Sequence, residues 1–183
     1  MDLKMILAGV GGQGVLFATR VFSETALVLG YDMLGSETHG MSQRGGSVVS
    51  HLKIDGYESP LIRQGTADVL LSFDEDEAYR TLAFIRRGGL CFVSSPHGDF
   101  WDNGVKAYLT KNNIAADSLA ADEIALELGS PRSANLALIG YAVSVPEVRF
   151  GYDEIKATIE RISPSRFKEV NLRAFEGGYG RKQ

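Results

Sequence analysis

The sequence predicts an α/β fold: a mostly parallel sheet with helices on both faces and a helical C-terminal part. Three observations carry this prediction. The apolar run Met5-Ile6-Leu7-Ala8 ends in the glycine turn Gly9-Val10-Gly11-Gly12-Gln13-Gly14, from which an amphipathic helix starts. A strand buried on both faces reads as such an unbroken run. Strand-like and helix-like segments then alternate as far as Leu119, the order produced by parallel strands with crossover helices. Beyond that point the pattern is mostly helical.

Taken in order, Lys4 to Val10 is the first strand. Gly14 opens a helix to about Leu29, with Val15, Ala18, Val21, Phe22, Ala26 and Leu29 on its buried side and Gly30 as its stop. Tyr31 to Leu34 is a short second strand that completes a β-α-β unit, and Ser47 to Ile54 is a third, turning at Asp55-Gly56. Asp68 to Ser72 is a central strand. Asp74 and Glu77 have the spacing of a capping box, and the helix they start is expected over about Glu75 to Arg86, ending at Gly88-Gly89. Leu90 to Ser94 is the next strand, and Pro96 to Gly104 is a loop carrying His97 and Trp101. Strands are expected at Val105 to Leu109 and at Ala115 to Leu119. Helices follow at Ala121 to Leu128 and Ala134 to Val145, separated by Gly129-Ser130-Pro131. Tyr152 to Ile162 aligns Ile155, Ile159 and Ile162 on one face. A last helix begins near Ser165, and Gly177-Gly178-Tyr179-Gly180 continues it poorly. No repeat or interdomain linker interrupts the chain, so residues 1–183 are expected as one domain.

Composition excludes several classes. A formal net charge of -4 gives no reason to expect nucleic acid as a partner. The one cysteine, Cys91, rules out an intrachain disulfide, an iron–sulfur cluster held by this chain alone and the usual zinc patterns. It lies mid-strand and reads as a small buried hydrophobe. His39, His51 and His97 are too scattered to suggest a metal site, and the acidic run Asp74 to Glu77 reads as helix N-terminal charge. No apolar stretch approaches the roughly 20 residues needed to span a bilayer, and Met1 to Lys4 lacks a signal-peptide layout. A cytoplasmic protein without membrane contact is expected.

Two segments are candidates for chemistry. In the first, Gly9 permits the tight bend, Gly11 lets a phosphate approach the backbone and Gly14 serves close packing; Gly12 and Gln13 complete the turn. A bare strand-to-helix joint has the same glycines. The second, Glu37-Thr38-His39-Gly40-Met41-Ser42-Gln43-Arg44-Gly45-Gly46, sets polar side chains among glycines. Arg44 offers a planar fork for phosphate or carboxylate, assisted by Gln43 and the backbone at Gly45 and Gly46. His39 reads equally as a ligand contact or a structural histidine. Glu37 lies slightly late for the acid that holds a ribose hydroxyl in nicotinamide-dependent enzymes. Three readings remain open here: a phosphate-ligand site, a free-standing NAD(P)-dependent dehydrogenase, and a structural assembly module with an empty turn.

The turn Gly9 to Gly14 and the stretch Ser36 to Ser50 resemble the gamma subunit of 2-oxoacid:ferredoxin oxidoreductases, a family that includes the beta subunit of indolepyruvate oxidoreductases. The likeness continues through Ala67 to Leu71, Gly88-Gly89, Ser133 to Ala137 and Asn171 to Gly178, and so covers essentially the whole chain. It implies a Rossmann-like accessory domain, inactive alone, in an enzyme that decarboxylates a 2-oxoacid and forms an acyl-coenzyme A. Thiamine diphosphate and iron–sulfur clusters would then lie on partners: alpha- and beta-type subunits and a ferredoxin-like subunit or domain, with ferredoxin as acceptor. Coenzyme A is the ligand that the resemblance implies for this chain. Gly11 to Gly14 would meet its phosphate, and Gln43 and Arg44 would frame the same cleft.

Overall fold

Successive residues of Leu3–Val10 enter two different cores. Leu3, Met5 and Leu7 join one apolar cluster while Ile6 and Ala8 join another, as a strand covered on both faces must. This strand, β1, belongs to a computed structural model that describes residues 1–39 and 45–181. Around it lie β2 (Met33–His39), β3 (Ser47–Ile54), β4 (Ala67–Ser72), β5 (Ile85–Ser94) and β6 (Ala115–Leu119). The sheet order is β2-β3-β1-β4-β5-β6. On one side β4, β5 and β6 continue the sheet in parallel. On the other, β3 runs antiparallel to β1 along its whole length, from Leu3 opposite Ile54 to Val10 opposite Ser47. Because β2 is antiparallel to β3 in turn, five strands share one direction.

Helices cover both faces. The first carries α1 (Val15–Val28) and the C-terminal helices α4 (Ala121–Glu127), α5 (Ala134–Val143), α6 (Tyr152–Ile162) and α7 (Lys168–Tyr179); the second carries α2 (Glu75–Thr81) and α3 (Asn103–Lys111). Local chemistry sets several ends. Gly30 N–H donates to Leu27 O and Tyr31 N–H to Ala26 O, both at 3.0 Å, which is a Schellman stop for α1. Asp74 accepts from Glu77 N–H at 3.2 Å and caps α2.

The structure corrects four expectations. The segment Val105 to Leu109 is helical: Asp102 accepts from Val105 N–H at 2.8 Å and starts α3. The helix after Asp74 stops at Thr81, a 3₁₀ turn covers Leu82–Phe84, and Ile85 already pairs with Ala67 in the sheet. The second strand begins at Met33 and reaches His39, and β3 separates it from β1, so the β-α-β unit keeps its direction without direct pairing. Finally, Gly177 and Gly178 lie within α7. A Cβ on Gly178 would sit 1.8 Å from Ala137 O, and one on Gly140 would sit 2.0 Å from Phe175 O. These glycines cost helix propensity but let α5 and α7 touch backbone to backbone.

Two predictions follow from packing. Gly178→Ala should lose about 2–3 kcal/mol in urea unfolding because the backbones must separate, while Gly180→Ala, with ordinary contact only, should stay within about 0.5 kcal/mol. Cys91 is fully buried, and burial pushes its thiol up to about 12. At pH 8 only ~1 in 10,000 molecules would carry the thiolate. A disulfide reagent should therefore reach Cys91 only through unfolding and label it far more slowly than it labels the denatured chain.

Candidate functional site

An open sheet binds ligands outside the carboxyl ends of its strands, where neighbouring connections leave in opposite directions. Here that point lies between β1, whose other neighbour is β3, and β4. The residues that follow or end four parallel strands meet there. Gly12 and Gln13 follow β1, Phe73 follows β4, Ser94 ends β5 and Asp122 follows β6, and together they line a cavity of about 230 Å³. Pro131, Arg132, Ala134 and Asn135 close it from the start of α5. A second cavity of about 250 Å³ shares Gly12, Arg132 and Asn135 and opens onto Phe17, Leu136, Pro164 and Phe167. The two adjoin along these shared residues, the first reaching Asp122 and the second the more apolar side at Phe167, and together they are taken as the cleft.

The glycine turn is held by its own chain. Gln13 N–H donates to Val10 O at 3.0 Å, and Val10 N–H donates to Gln13 Oε1 at 2.7 Å. A Cβ on Gly9 would meet that same Oε1 at 2.8 Å. Gly11 gives its N–H to Gly46 O at 2.9 Å, so the two glycine segments pair backbone to backbone. The open position is Gly12, with φ 108° and no atom within 4 Å of where a Cβ would lie. Gly14, with φ 80°, caps α1 without a side-chain hydrogen bond, and no acid occupies the first turn. Its carbonyl accepts from Asn135 Nδ2 at 3.0 Å, and a Cβ there would lie 2.4 Å from that nitrogen. Gly14 therefore allows α5 to pack on the start of α1.

Charge is unevenly distributed in the cleft. The N-terminus of α1 presents partial positive charge, and exposed Arg132 forms no ion pair among the described residues. Opposite lies Asp122, whose carboxyl is raised above the ordinary carboxylate value first by burial and then by the charge of Asp74. An anion is favoured near Gly12 and Arg132 and disfavoured near Asp122.

The other predicted site residues are distributed differently. Gly45 has φ 79° and joins Gly46 beside Gly11. Glu37 is exposed on β2 and lines a separate groove with Thr19, Ser23 and Ser50. His39 ends β2, where its backbone pairs opposite Val48. Gln43 and Arg44 lie outside the described residues. Arg132, Asn135, Asp122 and Ser94 line the cleft without having been singled out from sequence as site residues. Only the segment Ser130-Pro131-Arg132 hints at a short loop before a helix, and folding alone brings it against residue 12. Among the described residues no group of three His, Cys, Asp or Glu is placed to hold a metal ion, and no helix is long and apolar enough to cross a membrane.

Known proteins share this architecture. The gamma subunit of a keto/oxoacid ferredoxin oxidoreductase from Geobacter sulfurreducens superposes with a TM-score of 0.74 at 23% identity, covering 97% of this chain and 96% of that one. A 2-oxoglutarate:ferredoxin oxidoreductase from Magnetococcus marinus, solved with 2-oxoglutarate, coenzyme A and succinyl-CoA bound, gives 0.78 at 21% identity over 98% of this chain and 30% of its own. In sequence, the indolepyruvate oxidoreductase subunit IorB of Thermococcus kodakarensis is 32% identical over 97% of this chain and 94% of its own. The 2-oxoglutarate synthase subunit KorC of Methanothermobacter marburgensis is 26% identical over 97% and 95%. The model of the pyruvate ferredoxin/flavodoxin oxidoreductase family matches residues 4–181, and the chain belongs to that family.

Proposed function

We propose that this chain is an accessory subunit of a 2-oxoacid:ferredoxin oxidoreductase complex and that its cleft holds the phosphate end of coenzyme A. The observation that carries the subunit role is likeness along nearly the full length to relatives that are themselves named as subunits of such enzymes. Thiamine diphosphate and iron–sulfur clusters belong, on this reading, to alpha-, beta- and ferredoxin-type partners, with ferredoxin as the acceptor.

The coenzyme A part rests on the cleft. The uncapped start of α1 supplies backbone N–H groups and partial positive charge. Gly12 leaves room for close approach to the backbone, and Arg132 supplies a full charge with a planar fork. The Magnetococcus marinus neighbour, a larger chain that contains this fold, was solved with coenzyme A bound, which makes that ligand the one to test. When bound, coenzyme A supplies the thiol that accepts the acyl group. Gly12, the first turn of α1 and Arg132 would fix its phosphates, while Phe17, Pro164 and Phe167 would cover apolar parts and exclude water.

The dehydrogenase reading is less well supported. A ribose-holding acid belongs at the end of a strand paired directly with β1. Here β3 occupies that place, and Glu37 faces a different groove.

Calorimetric titration of the full chain with coenzyme A and with pyrophosphate tests the proposal. Both should bind, and Arg132→Ala should weaken each by about tenfold to a hundredfold, the range for losing a hydrogen bond to a charged group. A wild-type chain that binds neither, or an Arg132 variant with unchanged Kd, would count against the site. The subunit role stands or falls separately, on whether tagged chain retrieves thiamine-dependent and iron–sulfur polypeptides.

A further inference from the structure

Along the apolar arm of the cleft, whose lining includes Ser130, Ser133 and Asn171, a largely buried polar relay joins two of its walls. Ser133, Asn171 and Ser163 are 2%, 8% and 7% exposed. Ser133 Oγ donates to Asn171 Oδ1 at 2.9 Å, and Asn171 Nδ2 donates to Ser163 Oγ at 3.0 Å. Ser130 Oγ lies 2.9 Å from Ser133 Oγ and extends the relay across the Pro131–Ser133 turn. Arg132 sits inside that turn, directly before the serine that Asn171 holds. At the other end, Ser163 stops α6 and leads into Pro164 and Phe167, where Phe167 N–H donates to Pro164 O at 2.8 Å. The guanidinium of Arg166 covers one face of the Phe167 ring at 4.5 Å.

We propose that Asn171 is a positioning residue for the phosphate cleft, acting through Ser133 on Arg132 and through Ser163 on the Pro164–Phe167 wall. This rests on the reading of the cleft given above. The side-chain amide suits the task because it accepts at one end and donates at the other in one fixed plane. Both contacts are largely buried, so losing the amide takes the donor from Ser163 Oγ and leaves Ser133 Oγ with Ser130 alone, and the segments must shift to compensate. Arg132 has no ion pair among the described residues to hold it in place. Its aim therefore depends on the backbone of the turn that carries it.

A double-mutant cycle on the full chain separates positioning from general stability. The variants are Arg132→Ala, Asn171→Ala and the pair, titrated with coenzyme A while urea unfolding is followed in parallel. Asn171→Ala should weaken coenzyme A by about tenfold where Arg132 is present and by less than about threefold where it is absent. Asn171→Gln, which keeps an amide acceptor and donor without adding charge, should recover part of the affinity. Equal weakening in both backgrounds, or an unchanged Kd in folded Asn171→Ala, overturns the proposal. If Asn171→Ala does not fold, Ser133→Ala carries the same cycle, since it cuts the relay at its Arg132 end. A wild-type chain that binds no coenzyme A would overturn the cleft assignment and this inference together. Binding with an additive cycle would overturn the inference alone.

Discussion

The placement of β1 between an antiparallel and a parallel neighbour governs the rest of the molecule. β1 pairs with β3 along its whole length and with β4 from Met5 to Ala8, and both its faces are covered. The chain can then leave only at the carboxyl end, where the connections on its two sides diverge. That divergence leaves a crevice that no strand fills. The glycine turn, Phe73, Ser94 and Asp122 reach it because they end or follow parallel strands, and the helical C-terminal part supplies the opposite wall. The pairing of β3 also carries Gly46 to the turn, where its carbonyl takes the N–H of Gly11. The antiparallel insertion thus stabilises the turn and leaves Gly12, rather than Gly11, as its open position.

Much of this was legible in the sequence wherever the cause is local. The run Met5 to Ala8, the turn after it, the Gly30 stop and the Asp74 cap each depend on residues within a few positions, and each lies where expected. What the sequence concealed depends on distant partners. The five residues Val105 to Leu109 fit a strand if taken alone; Asp102, outside that window, caps them into a helix. The glycines at 177 and 178 read as terminators because propensity counts only their cost. The benefit of Gly178 is the approach of α5, more than thirty residues earlier in the chain, and Gly177 lies against Ile124 of α4. Arg132 is the plainest example: nothing near it in sequence marks it, and it reaches Gly12 only because α5 packs on α1 through Asn135 and Gly14.

Magnitudes decide which of the cleft's positive features matters most. A helix N-terminus contributes about 0.3–1 kcal/mol to a nearby anion when exposed to water. A charge-assisted hydrogen bond contributes about 1.5–3 kcal/mol. On the proposed reading Arg132 would therefore outweigh α1 as a source of affinity, while the helix and Gly12 would fix where the anion lies. The two sources differ in rigidity as well. The start of α1 is clamped by β1, the turn hydrogen bonds and Asn135, whereas Arg132 is an exposed side chain on a three-residue 3₁₀ turn. On that reading the stronger contributor stands on the weaker support, and the buried amide of Asn171 hydrogen-bonds this support to the helical layer. Asp122, with Asp74 near it, would set the opposite limit by repelling an anion on its side of the cleft. On the proposed reading a phosphate would sit beside Gly12, and the remainder of a long ligand would extend along the apolar arm or away from the chain.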